Sequence, residues 1–301
     1  MTRSVVIAQV DAFTRVPFCG NPAGVVLDAG GLSELEMKNV AAEMNVAETA
    51  FLTPATRPDA DYRLRWFTPS GKEVKFCGHA TIATVHALVE AGRLRPGRTS
   101  RIVFDTLGGL LPVSIEERDS IVAWLEPALQ TVVPFEESLA STLEALGLPE
   151  EALAGWATAS LTTERDLLLP ISGLGDVKSL ALDFSALKKI GADLKIRGFC
   201  LTTLETVDRE SSTHSRFFAP HYGIPEDPIT GSVHASIPVW LWHARVLRNQ
   251  EPIIKFQAEQ GDLIGRPGRL QIELHLSNGQ PVRVRVGGSA VTVVSGTIRI
   301  G

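Results

Sequence analysis

The chain has 301 residues, of which 44% are apolar and 21% are charged, and its formal net charge is −5. This composition is typical of a soluble globular protein, and the acidic balance argues against a basic surface for nucleic acid. The length exceeds what one hydrophobic core usually organises, so two domains are expected.

The first half of the chain is predicted to alternate strands with helices. Apolar runs bounded by Gly or Pro turns predict strands at 5–12, 23–27, 49–53 and 61–67. A helix is predicted over 33–45, because Ser33 can serve as its N-cap and Glu36 completes a capping box. The sequence 78–92 is apolar nearly all round, which predicts a buried helix surrounded by sheet.

Two hairpins and a second buried helix are also predicted. Residues 101–115 form the first predicted hairpin, with its turn at Gly108-Gly109. The second apolar helix is predicted at 232–245. Asn278-Gly279 is a strong turn signal between the strands of the second hairpin. The last predicted strand, 290–300, could belong to either half of the chain.

The two halves repeat one motif. Its copies are Arg65-Trp66-Phe67-Thr68-Pro69, followed by Glu73 and Gly78, and Arg216-Phe217-Phe218-Ala219-Pro220, followed by Glu226 and Gly231. The offset is 216 − 65 = 151 at the Arg and 231 − 78 = 153 at the Gly. Such slowly drifting offsets predict an internal duplication. We expect an N-terminal domain at 1–118, to which 289–301 could belong, and a C-terminal domain at 119–288.

One acidic residue breaks the internal symmetry. By these offsets the second copy has Arg197 where the first has Glu48. Glu48 lies between a predicted helix and an apolar strand, where partial desolvation would raise its pKa toward the range for proton transfer near neutrality. The alternative is a solvated residue at the start of a strand. The asymmetry predicts a site between the halves with a single acid–base group.

The starts of the two apolar helices are candidate anion sites. Gly78-His79 and Gly231-Ser232 each place a Gly where a loop enters a helix, and free N–H groups there bind anions. Simple helix capping is the alternative interpretation. His79 can also relay a proton or donate a hydrogen bond. Cys77 precedes the first helix, where a thiol pKa is lowered, so it is either a candidate base or a buried inert residue.

Asp227 is a second asymmetric carboxylate, because its counterpart in the first copy is Val74. It could orient a donor or hold a substrate amine, or simply open a turn with the following Pro. Glu73 and Glu226 occur in both copies, so a structural role is predicted for them, such as accepting backbone N–H groups. His86 and His234 fall among apolar helix residues and are predicted to be packing histidines.

Several familiar signatures are absent from the sequence. There is no GxGxxG, HExxH, CxxC or GxSxG, and the histidines and cysteines show no metal-ligand spacing. A mechanism without cofactor or metal is therefore expected. The chain has 3 cysteines, a sparse odd set typical of a reducing compartment, and no apolar run approaches the ~18 residues of a membrane helix. A cytoplasmic location is predicted.

Taken together, these segments resemble the phenazine-biosynthesis isomerase-like (PhzF-like) family, which has the diaminopimelate-epimerase-like fold. The match spans essentially the whole chain in order, and the combination is specific although each piece alone is not. The segments that carry the resemblance are 20–23 (GNPA), 45–51 (NVAETAF), 67–69 (FTP), 73–81 (EVKFCGHAT), 216–220 (RFFAP), 226–232 (EDPITGS) and 260–268 (QGDLIGRPG).

The resemblance implies an α+β protein of two similar domains, each a mixed or antiparallel barrel-like sheet wrapped around a central helix. It also implies a homodimer, an interdomain site and catalysis without cofactor or metal. Catalytic roles fall on Glu48, His79 and Asp227. The residues assigned to substrate binding are Asn21, Cys77, Gly78, Gly231 and Ser232.

Two departures from the pattern bear on the substrate. The family usually has Ser before the catalytic Glu, and Ala47 lacks that hydroxyl. The epimerase relatives carry a Cys in each half, whereas here Asp227 stands where the second Cys should be. The leading hypothesis is an isomerase that moves a proton within a small anionic metabolite. An epimerase that uses Cys77 and a non-catalytic metabolite-binding or interaction module are the alternatives.

Overall fold

The computed structural model describes residues 3–95, 100–117, 120–248 and 251–300. It divides into two compact units: unit 1 comprises Met1–Glu126 with Gly287–Gly301, and unit 2 comprises Pro127–Val286. The predicted junctions were at 118–119 and 288–289. Among the described residues, no helix has the length and apolar character needed to cross a membrane.

Most of unit 1 is formed by the first ten elements of the chain. These are β1 (Arg3–Ala12), β2 (Asn21–Val26), α1 (Glu34–Met44), β3 (Glu48–Pro54), β4 (Tyr62–Phe67), β5 (Glu73–Val74), α2 (Gly78–Glu90), β6 (Ser100–Thr106), β7 (Gly109–Glu117) and β8 (Ile121–Leu125).

The remaining elements form unit 2, except that the end of β17 and all of β18 belong to unit 1. They are β9 (Val132–Pro134), α3 (Ala140–Leu146), β10 (Ser160–Thr162), β11 (Asp166–Pro170), α4 (Leu174–Lys178), α5 (Phe184–Asp193), β12 (Gly198–Thr203), β13 (Ser211–Ala219), β14 (Ile224–Asp227), α6 (Val233–His243), β15 (Ile253–Gln260), β16 (Gly268–Ser277), β17 (Gln280–Gly288) and β18 (Ala290–Ile300).

Both units use the same strand connections. In unit 1, β2 is parallel to β3, β3 is antiparallel to β4, and β4 is antiparallel to β5 and parallel to β6. In unit 2, the strands β11, β12, β13, β14 and β15 repeat these relations in the same order. The predicted duplication and the mixed sheets are therefore confirmed. The last strand, β18, pairs with β1.

Each unit contains one helix that is largely apolar and deeply buried. Every residue from Gly78 to Val85 in α2 is buried, and so is every residue from Val233 to Leu241 in α6. Helices of this kind have no polar face, which is why both segments were recognisable from the sequence. The expectation of a central helix in each domain is confirmed.

The repeated Arg and Glu form the same ion pair in both units. Arg65 Nε and Nη2 donate to Glu73 at 2.8 and 2.7 Å, and Arg216 donates to Glu226 through the same atoms at the same distances. Each guanidinium also lies 5.0 Å from the centroid of a Phe ring two residues along its own strand. The structural role predicted for the two Glu is correct, but their partners are these guanidinium groups.

Local sequence signals were accurate at several turns and caps. Ser33 and Glu36 form the predicted capping box of α1. Asn278 and Gly279 both have positive φ, 51° and 70°, as a tight hairpin turn requires. The first hairpin differs by one residue, because Gly109 already pairs with Thr106 and leaves 107–108 as the turn.

Unit 2 also contains elements that the sequence analysis did not predict. Helices α3 and α5 pack over a core that includes Leu143, Leu146, Leu187 and Phe199. A usable signal existed for α5, since the Asp183 side chain caps the helix by accepting a hydrogen bond from the Ala186 N–H at 2.9 Å.

The first turn of each central helix is tied back to the preceding loop. The Thr81 hydroxyl donates to the Cys77 carbonyl at 2.6 Å, and His234 Nδ1 lies 3.0 Å from the Thr230 carbonyl. The two positions correspond by the duplication, because 234 − 81 = 153 and 230 − 77 = 153. His234 is fully buried, so the prediction of a packing histidine is confirmed. His86 is half-buried and lies 3.2 Å from Glu90.

The buried histidine predicts a pH-dependent stability. Burial lowers the pKa of His234 to about 4, although its hydrogen bond to Thr230 acts in the opposite direction. Between pH 6.5 and 4 the unfolded chain therefore binds a proton that the folded chain does not, and the free energy of unfolding falls as pH falls. From pH 7 to 5 this contribution is about 2 kcal/mol.

Urea unfolding at pH 7 and 5 measures this effect, with His234→Thr as the matched variant because Thr occupies the equivalent position in unit 1. We expect the variant to lose about 2 kcal/mol less than the wild type over this pH interval. Equal losses in the two proteins would show that His234 titrates normally.

Candidate active site

Glu48 is placed by the junction between α1 and β3. Asn45 caps α1 in the left-handed conformation, φ 50° and ψ 33°, and this turns the chain into β3, whose first residue is Glu48. The core of unit 1 beneath this junction includes Met37, Phe51 and Phe67, with the two rings edge to face at 5.8 Å. The position of Glu48 is therefore fixed by packed elements on both sides.

Cys77 and His79 lie at the start of α2. Cys77 is the N-cap residue, with extended backbone angles of −147° and 107°, and its side chain makes no capping hydrogen bond. Its thiol is instead directed at Glu48, donating to Oε2 at 3.5 Å. Gly78 is the first helical residue, and the side chain of His79 follows it on the buried surface of the helix.

The three side chains form a closed triangle. Cys77 Sγ lies 3.5 Å from Glu48 Oε2 and 3.6 Å from His79 Nδ1, and His79 Nε2 lies 3.4 Å from Glu48 Oε2. The side chains of His79 and Glu48 are 9% and 15% exposed. The structure thus brings together three residues that were identified from the sequence, with Cys77 29 residues and His79 31 residues after Glu48.

His79 is neutral in this environment. Burial lowers its pKa to about 4, so at neutral pH the imidazole has one donor and one acceptor nitrogen. The 3.4 Å separation from Glu48 is therefore not a salt bridge, and Nε2 makes no aligned hydrogen bond within the described residues. His79 can donate or accept a hydrogen bond, but it does not supply a positive charge.

The same three residues are also a possible set of metal ligands. Donor atoms of Glu48, Cys77 and His79 all lie within 4.8 Å of one another, and all three residue types bind zinc. However, the two close contacts of His79 use different ring nitrogens, and a single ion would take only one of them. An ion held by these three residues would therefore bind one ring nitrogen and leave the other for a hydrogen bond.

A second cluster of possible ligands lies in unit 2 at His214, Glu259 and Asp262. There the Arg269 guanidinium lies 3.6 Å from Glu259 and 2.9 Å from Asp262. The protein itself therefore supplies the cation that balances these carboxylates.

Asp227 anchors a short loop in unit 2. Its Oδ2 accepts a hydrogen bond from the Thr230 hydroxyl at 2.7 Å, and its backbone carbonyl accepts one from Gln260 Nε2 at 2.7 Å. The Thr230 N–H completes the arrangement by donating to Gln260 Oε1 at 3.1 Å. Asp227 therefore has a structural contact in a turn, as the alternative interpretation predicted.

Ser232 occupies the N-cap position of α6 without capping it. Its Oγ accepts a hydrogen bond from Arg197 Nη2 at 2.9 Å, and Arg197 is also held by both carboxylate oxygens of Asp166, with Nε to Oδ1 at 2.7 Å. Gly231 is half-buried and precedes Ser232. The equivalent residue in unit 1, Gly78, is the first residue of α2, whereas α6 begins two residues after Gly231.

The strand pairing corrects one correspondence between the halves. Phe51 pairs with Arg65 and Leu201 pairs with Arg216, so the offset along these strands is 201 − 51 = 150. Glu48 therefore corresponds to Gly198, and not to Arg197. A Cβ at Gly198 would lie 2.1 Å from the Phe217 ring, which explains why no side chain replaces the carboxylate there.

The roles of Arg197 and Asp166 were not predicted from the sequence. Arg197 was considered only as the counterpart of Glu48, and Asp166 was not noticed, although a buried Asp at the start of the apolar strand β11 is itself a signal.

Asn21 is buried at the start of β2, two residues before Ala23, which pairs with Glu48.

Comparisons with known proteins agree with this architecture. A sequence model of the family described as "Phenazine biosynthesis-like protein" matches residues 10–296. An uncharacterized isomerase of Clostridium acetobutylicum is 33% identical over 299 residues, which cover 97% of both chains. A crystal structure of the Bacillus anthracis phenazine biosynthesis protein of the PhzF family has a TM-score of 0.90 at 26% identity, covering 99% of this chain and all of that chain.

A more distant structure has the same fold. The hydroxyproline epimerase of Agrobacterium vitis has a TM-score of 0.61 at 15% identity, covering 99% of this chain and 91% of that chain. The expected diaminopimelate-epimerase-like fold is therefore confirmed.

Proposed function

The chain belongs to the phenazine biosynthesis-like family, and on this premise we propose that it is a cofactor-independent isomerase that moves a proton within a small carboxylate-bearing substrate. The observation that supports this proposal is the largely buried carboxylate of Glu48, held in contact with Cys77 and His79. A carbon acid requires a base held at contact distance from which most water is excluded, and this carboxylate meets that requirement.

Glu48 is the proposed acid–base group. Its carboxylate would take a proton from a substrate carbon, and the electron pair of the broken C–H bond would move into the conjugated system of the substrate. The resulting carboxylic acid would return the same proton to another atom of that system. One group used twice is regenerated in every turnover, so the cycle balances without an oxidant or a second reactant.

The other predicted residues would bind the substrate. Neutral His79 would hold or polarise it by a hydrogen bond, and Asp227 would accept a hydrogen bond from its polar group. Asn21, Gly78, Gly231 and Ser232 complete the set implied by the family resemblance. We further propose that the protein is a cytoplasmic homodimer. Sedimentation of the purified protein would test its oligomeric state.

The experiment that tests the reaction class is turnover of unsaturated carboxylic acids in D2O, followed by NMR. An isomerase of the proposed kind gives a product with a shifted double bond. Loss of chirality with solvent deuterium at a single carbon would identify an epimerase instead. Binding of small acids without chemical change, unaffected by Glu48→Gln, would identify a non-catalytic binding module.

An epimerase is the second candidate, because the Cys77 thiol lies 3.5 Å from Glu48 Oε2 and could serve as a second base. Racemisation needs two bases on opposite sides of a carbon, so this contact would have to open for a substrate to enter between the two groups.

Cys77→Ser distinguishes the two reactions. For the isomerase we expect kcat to fall by about tenfold or less, because Ser retains a hydroxyl donor toward Glu48. For the epimerase the loss would be about 10³-fold, since a hydroxyl is a far weaker acid and base than a thiol. Cys19→Ser is the matched control, because Cys19 lies outside the triangle in a loop before β2.

A further inference from the structure

The contact between Arg197 and Ser232 has a fixed polarity. A guanidinium has only N–H donors, so in the 2.9 Å contact between Arg197 Nη2 and Ser232 Oγ the hydroxyl oxygen must accept. The proton of the Ser232 hydroxyl is therefore directed away from Arg197. Ser232 makes no capping hydrogen bond, so the helix does not compete for its side chain.

Arg197 is itself held in place. Asp166 accepts hydrogen bonds from Nε and Nη2, and the two sides of this fork define the plane of the guanidinium. The Asp166 side chain is 1% exposed and that of Arg197 is 29% exposed. A buried carboxylate thus anchors a cation whose Nη2 donates to both Asp166 and Ser232. Asp166 is the first residue of β11, and Arg197 immediately precedes β12. These two strands pair in parallel, so their pairing fixes the position of Asp166 relative to Arg197.

Charge considerations favour an anionic partner for this group. Asp166 balances the charge of Arg197 through two hydrogen bonds, and Glu164 and Asp227 act on it at longer range, but the charged group in direct contact with Ser232 is the guanidinium. An O–H donor beside a cation stabilises a carboxylate more than it stabilises a neutral acceptor, because charge-assisted hydrogen bonds are stronger. An ammonium group at this point would meet both a donor and a positive charge.

We propose that Arg197 is a positioning residue that holds the Ser232 hydroxyl as a hydrogen-bond donor and so selects a carboxylate of the substrate at this point. The inference rests on the proposed assignment of Ser232 to substrate binding. It adds Arg197 and its anchor Asp166 to the residues that determine how Ser232 recognises the substrate.

The test is calorimetric binding of two probes, anthranilate and its neutral analogue anthranilamide. The wild type should bind anthranilate more tightly. Ser232→Ala and Arg197→Met should each weaken anthranilate binding by about tenfold and change anthranilamide binding by less. If Arg197 acts through Ser232, the double variant should be no weaker than Ser232→Ala alone, because the two effects are not independent.

Two further variants separate positioning from a general loss of structure. Arg197→Gln combined with Asp166→Asn replaces the ion pair by a neutral hydrogen-bonding pair, and it should restore part of the anthranilate preference if orientation of the hydroxyl is the cause. Thermal unfolding of every variant shows whether it is folded. Arg209→Met, at an exposed position of unit 2, is the control for loss of an arginine and should leave binding unchanged.

Three results would overturn the inference. They are additive effects of the two single substitutions, equal loss of both probes in Arg197→Met, and no preference for anthranilate in the wild type. These measurements need no turnover, so they can be repeated in Glu48→Gln. A protein that binds anthranilate as described but lacks isomerase activity would contradict the proposed function and not this inference.

Discussion

Glu48→Gln should lower kcat by about 10³-fold or more while KM changes by less than about threefold. Gln has nearly the size of Glu and can still contact Cys77 and His79, but it cannot take up and return a proton. The measurement is steady-state kinetics on a substrate found in the D2O screen. If the variant kept full turnover, Glu48 would not be the acid–base group.

The physical reason for so large an effect is the absence of a second carboxylate at the same place. His79 is neutral with a pKa of about 4, which makes it a poor base for a carbon acid at neutral pH. The equivalent position in unit 2 is Gly198, which has no side chain at all. The proton transfer therefore depends on one carboxylate.

Two matched variants make this prediction sharper. Glu43→Gln removes an exposed carboxylate from α1 and should leave kcat unchanged. Glu48→Asp keeps the acid but withdraws it by one methylene, so an intermediate loss is expected, since a displacement of about 1 Å can cost about 10²-fold. Thermal unfolding of the three variants checks that each is folded. A loss in Glu43→Gln as large as that in Glu48→Gln would indicate a structural cause.

Arg216→Met should lower the free energy of unfolding by about 3–5 kcal/mol. Arg216 holds Glu226 through two hydrogen bonds and donates a third to the Val177 carbonyl at 2.8 Å. The two side chains are only 11% and 13% exposed, so the substitution leaves a largely buried carboxylate without its cation. Urea unfolding at pH 7 measures the change.

The double variant Arg216→Met with Glu226→Leu tests whether the unpaired charge is the cause. Replacing both partners by apolar side chains removes the buried carboxylate, and most of the lost stability should return. A double variant as unstable as Arg216→Met would show instead that the ion pair contributes specific geometry to the fold.

Arg65→Met is the equivalent change in unit 1. Arg65 makes the same pair with Glu73 and also donates to Glu34 at 2.7 Å, so a loss of similar size is expected. If the free energy of unfolding fell by less than about 1 kcal/mol in either unit, that ion pair would contribute no more than an exposed surface salt bridge. Hydrogen exchange of α2 and α6 would show which unit each substitution destabilises.

The sequence alone determined the features that depend on neighbours along the chain. The capping box of α1 needs only Ser33 and Glu36, three residues apart. The Asn278-Gly279 turn needs two residues that tolerate positive φ. The two central helices were visible because complete burial requires apolar residues on every side. The duplication was visible because a repeated fold repeats these local requirements at nearly constant spacing.

The tertiary structure decided which side chains meet. Arg65 and Arg216 could be recognised as repeated, but their Glu partners follow from the antiparallel pairing of strands. That same pairing moved the counterpart of Glu48 from Arg197 to Gly198. The partner of Asp166 could not be read from the sequence, because it is 31 residues away and immediately precedes an adjacent strand. Hydrogen bonds and ion pairs depend on distances of about 3 Å. Residue spacing alone does not set such distances across separate strands and helices, so the triangle of Glu48, Cys77 and His79 and the anchored Arg197 required the folded chain.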